Sequence, residues 1–267
     1  MLIASSAYSQ TSSLRADLSA YQSQPGLTAE VVGDRLLVEW EGEENYQLKI
    51  SFIIADGVPT IQDLAILKDK SGAWKVLASG IKPEYRIVSG LRRLTQQQIE
   101  PLEKLGVELT PEILEEIKWD AFWDAPLYVS NEPPRSHKSS IPVAEPSIAN
   151  PGMPRRQEEI SRVTATFQAD GCEVRTNGAR LEIIFPGAEA GIFSGHLQYD
   201  IFKGSNLIRQ MLVAKTDEKS VAFKYDAGLT GLPLTAESGL NWRGLAQHWQ
   251  SYQLGGPVNE NPVVVKS

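Results

Sequence analysis

From Tyr46 to Ile54 apolar and polar residues alternate: Leu48, Ile50 and Phe52 fall on one face of an extended chain, Gln47, Lys49 and Ser51 on the other. Side chains alternate across a strand with period two, so this pattern predicts a strand with one buried face rather than an amphipathic helix. Arg35–Trp40 carries the same signal, and the polar stretch Glu41-Gly42-Glu43-Glu44-Asn45 between the two runs predicts a hairpin. Pro59 to Leu67 and Trp74 to Ala78 repeat the theme around a second turn cluster, Lys68 to Gly72, and Arg86-Ile87-Val88 closes the block. The expectation for residues 30–93 is a small antiparallel sheet of four or five strands.

A short helical passage follows. Thr95 precedes Gln96-Gln97-Gln98, with Ile99, Leu102 and Leu105 at helical spacing before Gly106 and with Pro101 inside the run. Thr110-Pro111-Glu112-Ile113 then places a capping threonine before a proline at the first helical position. Trp119, Phe122 and Trp123 come next, large rings that call for cover. From Asn131 to Glu158 prolines recur at 133, 134, 142, 146, 151 and 154 with few large apolar residues, the composition of an extended linker. The predicted organisation is a tail over 1–29, a small β domain with helical connector over 30–130, the Pro-rich linker over 131–158 and a β-sandwich portion over 159–267.

In that last portion Val163–Phe167, Cys172–Arg175 and Arg180–Phe185 read as strands joined at Asp170-Gly171 and Asn177-Gly178, dipeptides that tolerate positive φ and suit tight hairpins. Gly195–Phe202, Leu207–Lys215 and Ser220–Tyr225 continue the series, and Pro262-Val263-Val264-Val265 looks like the start of another strand. With no long amphipathic helix after Glu158, this half predicts antiparallel sheets packed as a sandwich.

Composition bounds the function. The net charge is −7 and the pI near 5.2, and the only adjacent basic pairs are Arg92-Arg93 and Arg155-Arg156, so a nucleic-acid partner is not expected. A single cysteine, Cys172, forbids an intramolecular disulfide and a thiolate zinc cluster. No apolar run approaches the length of a membrane span. The start, Met1-Leu2-Ile3-Ala4 to Ala7-Tyr8-Ser9, reads as the end of an apolar signal region followed by a small-x-small cleavage pattern, which predicts export to the periplasm or beyond.

Two stretches carry a resemblance. One runs from Ser89-Gly90-Leu91-Arg92-Arg93 through Gly106–Pro111 to Trp119-Asp120-Ala121-Phe122-Trp123-Asp124-Ala125-Pro126-Leu127, the other from Arg180–Gly187 to Ala222–Leu229. Both resemble the N-terminal part of large exported bacterial proteins of poorly defined activity. Their core is similar to the galactose mutarotase-like β-supersandwich, a fold common in carbohydrate-active enzymes. The resemblance implies a carbohydrate-related role and a supersandwich that continues past Ser267, which would make this chain an N-terminal fragment.

The residues themselves offer few catalytic constellations. The three histidines, His137, His196 and His248, show no HxH or HExxH spacing, so no metal and no cofactor are expected. There is no G-x-S-x-G elbow, and the glycines from Gly187 to Gly195 sit in a β–β connection rather than a phosphate loop. Glycoside hydrolysis needs two carboxylates across a cleft, and Asp200, Asp226 and Glu237 flank the second sheet.

The most informative composition is Asn241-Trp242-Arg243 with Gln247-His248-Trp249-Gln250-Ser251-Tyr252. Sugars present flat apolar faces ringed by hydroxyls; aromatic rings cover the faces while Arg, His and amides bond the hydroxyls. Trp242, Arg243, His248 and Trp249 are therefore the expected contacts for an oligo- or polysaccharide, with Arg209, Tyr225 and Asp226 joining from neighbouring strands and Arg209 either pairing with an acid such as Asp226 or facing solvent. Three readings stand at this stage. The first is carbohydrate recognition within an exported polysaccharide-processing protein. The second is a glycoside hydrolase or polysaccharide lyase fragment using Asp226, Glu237 or His248. The third is a packing module in which the two tryptophans plug the end of the sandwich. Exposure of the aromatic segment after Glu237 separates the first two from the third.

Overall fold

The computed structural model describes residues 11–12, 14–68, 72–91, 96–117, 122–123, 157–244 and 246–254. Its strands, in chain order, are β1 (Thr11–Ser12), β2 (Arg15–Asp17), β3 (Leu27–Val32), β4 (Arg35–Glu41), β5 (Tyr46–Ala55), β6 (Val58–Lys68) and β7 (Lys75–Leu91). Helices α1 (Gln96–Lys104) and α2 (Pro111–Glu116) follow, then β8 (Phe122–Trp123), β9 (Ile160–Thr164), β10 (Thr166–Phe167) and β11 (Gly171–Asn177). The rest are β12 (Arg180–Ala190), β13 (Phe193–Phe202), β14 (Ile208–Lys215), β15 (Val221–Thr230), β16 (Gly239–Arg243) and β17 (Trp249–Gln253). The protein is mainly β, and its sheets are largely antiparallel.

Two large sheets form. The first has the order β3-β4-β5-β6-β7-β15-β8, with β1 against β5 and β9 against β7; the second runs β14-β13-β12-β11-β2, with β10 against β12. The predicted alternation decides which side chains meet. Leu36, Val38 and Trp40 of β4 and Leu48, Ile50 and Phe52 of β5 point inward from the first sheet. Leu181, Ile183 and Phe185 of β12 and Leu197, Tyr199 and Ile201 of β13 point inward from the second. The Phe52 ring lies 5.7 Å from that of Phe185 and 4.9 Å from that of Tyr199, joining the two layers at their centre. Trp40 is fully buried and its Nε1 donates to the Ser205 carbonyl at 2.8 Å, so the indole carries apolar burial without an orphaned donor.

The two β blocks thus share one core and exchange strands between the two layers of one sandwich. Strands from beyond the Pro-rich segment, β9 and β15, pair with β7 of the first block, and β2, from the region ahead of that block, pairs in parallel with β11. A single sheet with one apolar face has nothing to bury it against until a second layer covers it. The expected linker lies almost wholly outside the described residues.

The first block also starts earlier than its alternation suggests. Leu14 and Leu27 are buried, and the Tyr21 hydroxyl accepts from the Ala29 amide at 2.9 Å, so much of the region expected to be a tail is part of the structure. Residues 1–10, with the expected export signal, lie outside the described residues. Trp74–Ala78 and Arg86–Val88, read as separate strands, fall from Lys75 on in one strand, β7, which pairs with β6 along its first half and with β15 and β9 along its second.

The two turn dipeptides part company. Asn177 pairs with Arg180 across a two-residue turn in which Gly178 has φ +62°, the expected hairpin. Asp170-Gly171 makes none, because β10 and β11 both pair with β12. Asp170 instead binds Arg15 at 3.1 Å, and a Cβ on Gly171 would stand 2.6 Å from the Arg15 carbonyl oxygen. Glycine is there so that β2 can approach closely. Helix α2 starts as expected, with the Thr110 hydroxyl accepting from the Ile113 amide at 3.4 Å. Among the described residues no helix is long and apolar enough to cross a membrane.

Candidate functional site

The aromatic segment forms a two-stranded ribbon, β16–β17, that among the described residues joins neither large sheet. Residues 244–248 turn the chain, closed by Gly244 N–H to the His248 carbonyl at 3.0 Å and Gln247 N–H to the Gly244 carbonyl at 2.9 Å. This turn length sets the register: Arg243 lies opposite Trp249, Trp242 opposite Gln250 and Asn241 opposite Ser251. Directly opposed residues share a face, and neighbours along a strand do not. One face therefore carries Asn241, Arg243, Trp249 and Ser251, and the other Leu240, Trp242, Gln250 and Tyr252.

On the first face the Arg243 guanidinium lies 4.9 Å from the centroid of the Trp249 ring, within cation–π range. Trp249 is nevertheless 68% exposed, and His248 beside it is exposed too. Trp242 is half-buried on the opposite face, so the two tryptophans expected to act together are separated by the ribbon.

Arg209, Tyr225 and Asp226 lie on the two large sheets. Arg209 does not pair with Asp226. Its Nε donates to Asp200 Oδ2 at 2.9 Å and its Nη2 reaches the same oxygen. Asp200 also accepts from Gln198 Nε2 at 2.7 Å and has Arg180 Nη1 at 3.8 Å. The reason is register: Asp200 and Arg209 are directly opposed on β13 and β14. Asp200, one of the carboxylates considered for acid–base work, is thus a buried counter-ion with both oxygens occupied. Asp226 is exposed and sits opposite Arg86, while Tyr225, its neighbour along β15, points to the other face. Glu237 is exposed in the approach to the ribbon.

Tyr225 instead lines a cleft of about 890 Å³ between the sheets. One wall is β14 and the turn after it; the other is Tyr85 and Ile87 of β7 with Phe223, Tyr225 and Ala227 of β15. The polar groups at the cleft form a small chain. Gln210 Nε2 donates to the Tyr85 hydroxyl at 3.2 Å and towards the Gly228 carbonyl at 3.4 Å. Gln210 Oε1 is buried with no partner among the described residues. Burial raises the Tyr85 hydroxyl above its ordinary pKa, and Tyr199, deeper in the core, is raised for the same reason. Nothing in the sequence spacing marked this cleft, because Tyr85 and Gln210 are 125 residues apart.

Cys172 is buried and its thiol is pushed up to about 12 by desolvation, which leaves it without nucleophilic character at neutral pH. Among the described residues no group of three or more His, Cys, Asp or Glu side chains could hold a metal ion. His137 lies outside the described residues.

Fold and surface together define an antiparallel two-sheet β-sandwich bearing an exposed aromatic ribbon. No family model matches the chain, and no curated protein or solved structure matches it.

Proposed function

We propose that this chain is a carbohydrate-recognition module of an exported polysaccharide-processing protein, and that it contacts its glycan through the ribbon face of Asn241, Arg243, Trp249 and Ser251. The observation that carries the reading is the exposure of Trp249 beside a guanidinium within cation–π range of its ring. An exposed indole offers a flat apolar surface to the C–H face of a pyranose ring. Asn241, Ser251 and the free donors of Arg243 sit around it with the hydrogen-bonding groups that ring hydroxyls need. A packing plug would bury this indole, and burial is absent here. The acids considered for hydrolysis do not converge with the ribbon face: Asp200 is engaged by Arg209, and Asp226 lies on β15.

The test is a titration of the intact chain with a panel of neutral and acidic oligosaccharides, read by tryptophan fluorescence and calorimetry. Binding to at least one glycan, lost in Trp249→Ala at unchanged melting temperature, supports the proposal. Absence of binding across the panel, or unfolding of Trp249→Ala, rejects it.

A further inference from the structure

The cleft between β14 and β15 is closed at both ends. These strands are consecutive in the chain, yet β14 pairs with β13 in the second sheet and β15 with β7 in the first. Residues 216–220 therefore carry the chain from one layer to the other and shut one end. At the other end Gln210 of β14 crosses the gap, its Nε2 donating to the Tyr85 hydroxyl of β7 at 3.2 Å and towards the Gly228 carbonyl of β15 at 3.4 Å. From Gln210 to Lys215 is about 17 Å of strand, whereas packed sheets stand about 10 Å apart, so the space is longer than it is wide. It opens along one side, where the Tyr225 ring is 54% exposed.

Its chemistry is graded along that length. Ile87, Phe193, Leu212, Phe223 and Tyr225 make an apolar middle, in which the Phe193 and Phe223 rings meet edge to face at 5.5 Å. The charged side chains that line it, Lys215, Asp217, Glu218 and Lys219, all sit at the turn end and balance in sign. None lines the Tyr85–Gln210 end, where burial disfavours charge and raises the Tyr85 hydroxyl above its ordinary pKa. That end is also short of donors. Gln210 spends its amide hydrogens on Tyr85 and Gly228, while its Oε1 receives none among the described residues. Small-molecule sites span roughly 300–1,000 Å³, with apolar walls and a few polar groups that fix orientation; this cleft, at about 890 Å³, has that form.

We propose that the slot binds a neutral, elongated amphipathic molecule, in chemical class a long-chain alcohol, with its alkyl body along Leu212, Phe223 and Tyr225 and its hydroxyl at the Tyr85–Gln210 end. A strand from another protein does not suit closed ends, because its chain has to run on past one of them. A glycan does not suit the apolar middle, because its hydroxyls need partners along their whole length. A carboxylate head would lose its water at an end that offers no cation. A hydroxyl stays neutral there and brings a donor to an end that lacks one. The slot shares no lining residue with the ribbon face of Arg243 and Trp249.

The test is calorimetry on the intact chain with decanol and with decanoate at pH 8, each below its aggregation range. Decanol should bind saturably at one site, and decanoate, which differs only in its head, about tenfold or more weakly. Ala227→Phe puts a ring into the slot from an exposed position on its wall and should weaken decanol by about tenfold or more at unchanged melting temperature. Ala214→Phe plugs the slot from the opposite wall and takes its place should the first variant not fold. Trp249→Ala should leave decanol binding as it is, which separates the slot from the ribbon. No saturable binding of decanol, decanoate bound as tightly, a folded plug variant that binds like wild type, or loss of binding in Trp249→Ala would each overturn the proposal.

Discussion

Arg209 reaches across from β14 to hold Asp200 of β13, and the carboxylate it holds has no exposure to solvent although it lies on the sandwich's outer face. The arginine is both partner and lid: it is itself 48% exposed and shields the carboxylate from water. Arg209→Met keeps the lid and removes the charge, leaving a buried carboxylate with Gln198 and the more distant Arg180. Arg209→Ala opens the lid and lets water in. The expected loss of stability is therefore larger for methionine, about 3 kcal/mol, than for alanine, about 1 kcal/mol. Urea denaturation of the two variants decides it; a methionine variant as stable as the alanine one would mean that the carboxylate is not desolvated.

The common core makes a prediction about cleavage. A protease that cuts between residues 131 and 158 should leave two fragments that co-elute under native conditions, because β9 and β15 stay paired with β7. They should separate only in denaturant. Phe52→Ala, which removes the ring between Phe185 and Tyr199, should cost roughly 3–5 kcal/mol and loosen the nicked complex as well. Fragments that part in buffer would show that the layers are independent.

The alternation of Leu48, Ile50 and Phe52 was readable because a strand's period is local, and so was the Thr110 cap, which spans three residues. What could not be read was partnership. Asp170-Gly171 has hairpin chemistry, yet the geometry it serves is the approach of Arg15, 155 residues away in sequence. Leu14 escaped notice because one buried leucine before a three-residue strand leaves no period to detect. In the ribbon the residue types were legible, but not the faces: the turn 244–248 decides that Trp249 stands with Arg243 and apart from Trp242. The cleft was invisible for a related reason, since its walls come from strands that meet only in the assembled sandwich.

Glycine substitutions separate the two turns. Gly178→Ala meets no neighbour but must adopt φ +62°, at a cost of about 1 kcal/mol. Gly171→Ala would press on backbone at 2.6 Å, which cannot move without shifting β2, at a cost of about 1–3 kcal/mol. Hydrogen exchange should then show lost protection in residues 15–17 for Gly171→Ala alone. Equal effects of both changes on β2 would contradict the close approach.

The buried thiol carries a pH signature. Its folded-state value, about 12, lies above the ordinary 9.0, so the folded form holds its proton where the unfolded chain releases it. The resulting stability is fully present below pH 9.0 and is lost as pH rises from there towards about 12. The difference in unfolding free energy between wild type and Cys172→Ala should therefore shrink between pH 9 and pH 11. At pH 8 the native thiol should not react with a disulfide reagent until denaturant is added. Prompt labelling of the folded protein would place the thiol at the surface.

The ribbon's two faces give the sharpest test of recognition. If glycan lies on the face of Arg243 and Trp249, Trp249→Ala should weaken binding by about 1–2 kcal/mol, the scale of one aromatic contact. Arg243→Ala should weaken it as well, because it removes hydrogen-bond donors beside the indole. Trp242→Ala, on the opposite face, should leave affinity within a factor of about two while lowering stability, since that ring is half-buried. The register makes this contrast obligatory: two tryptophans seven residues apart cannot both meet a ligand on one side when the turn sets them on opposite sides. Equal losses of affinity from Trp242→Ala and Trp249→Ala, with unchanged melting temperatures, would mean that the ligand grips the ribbon around its end rather than lying on one face.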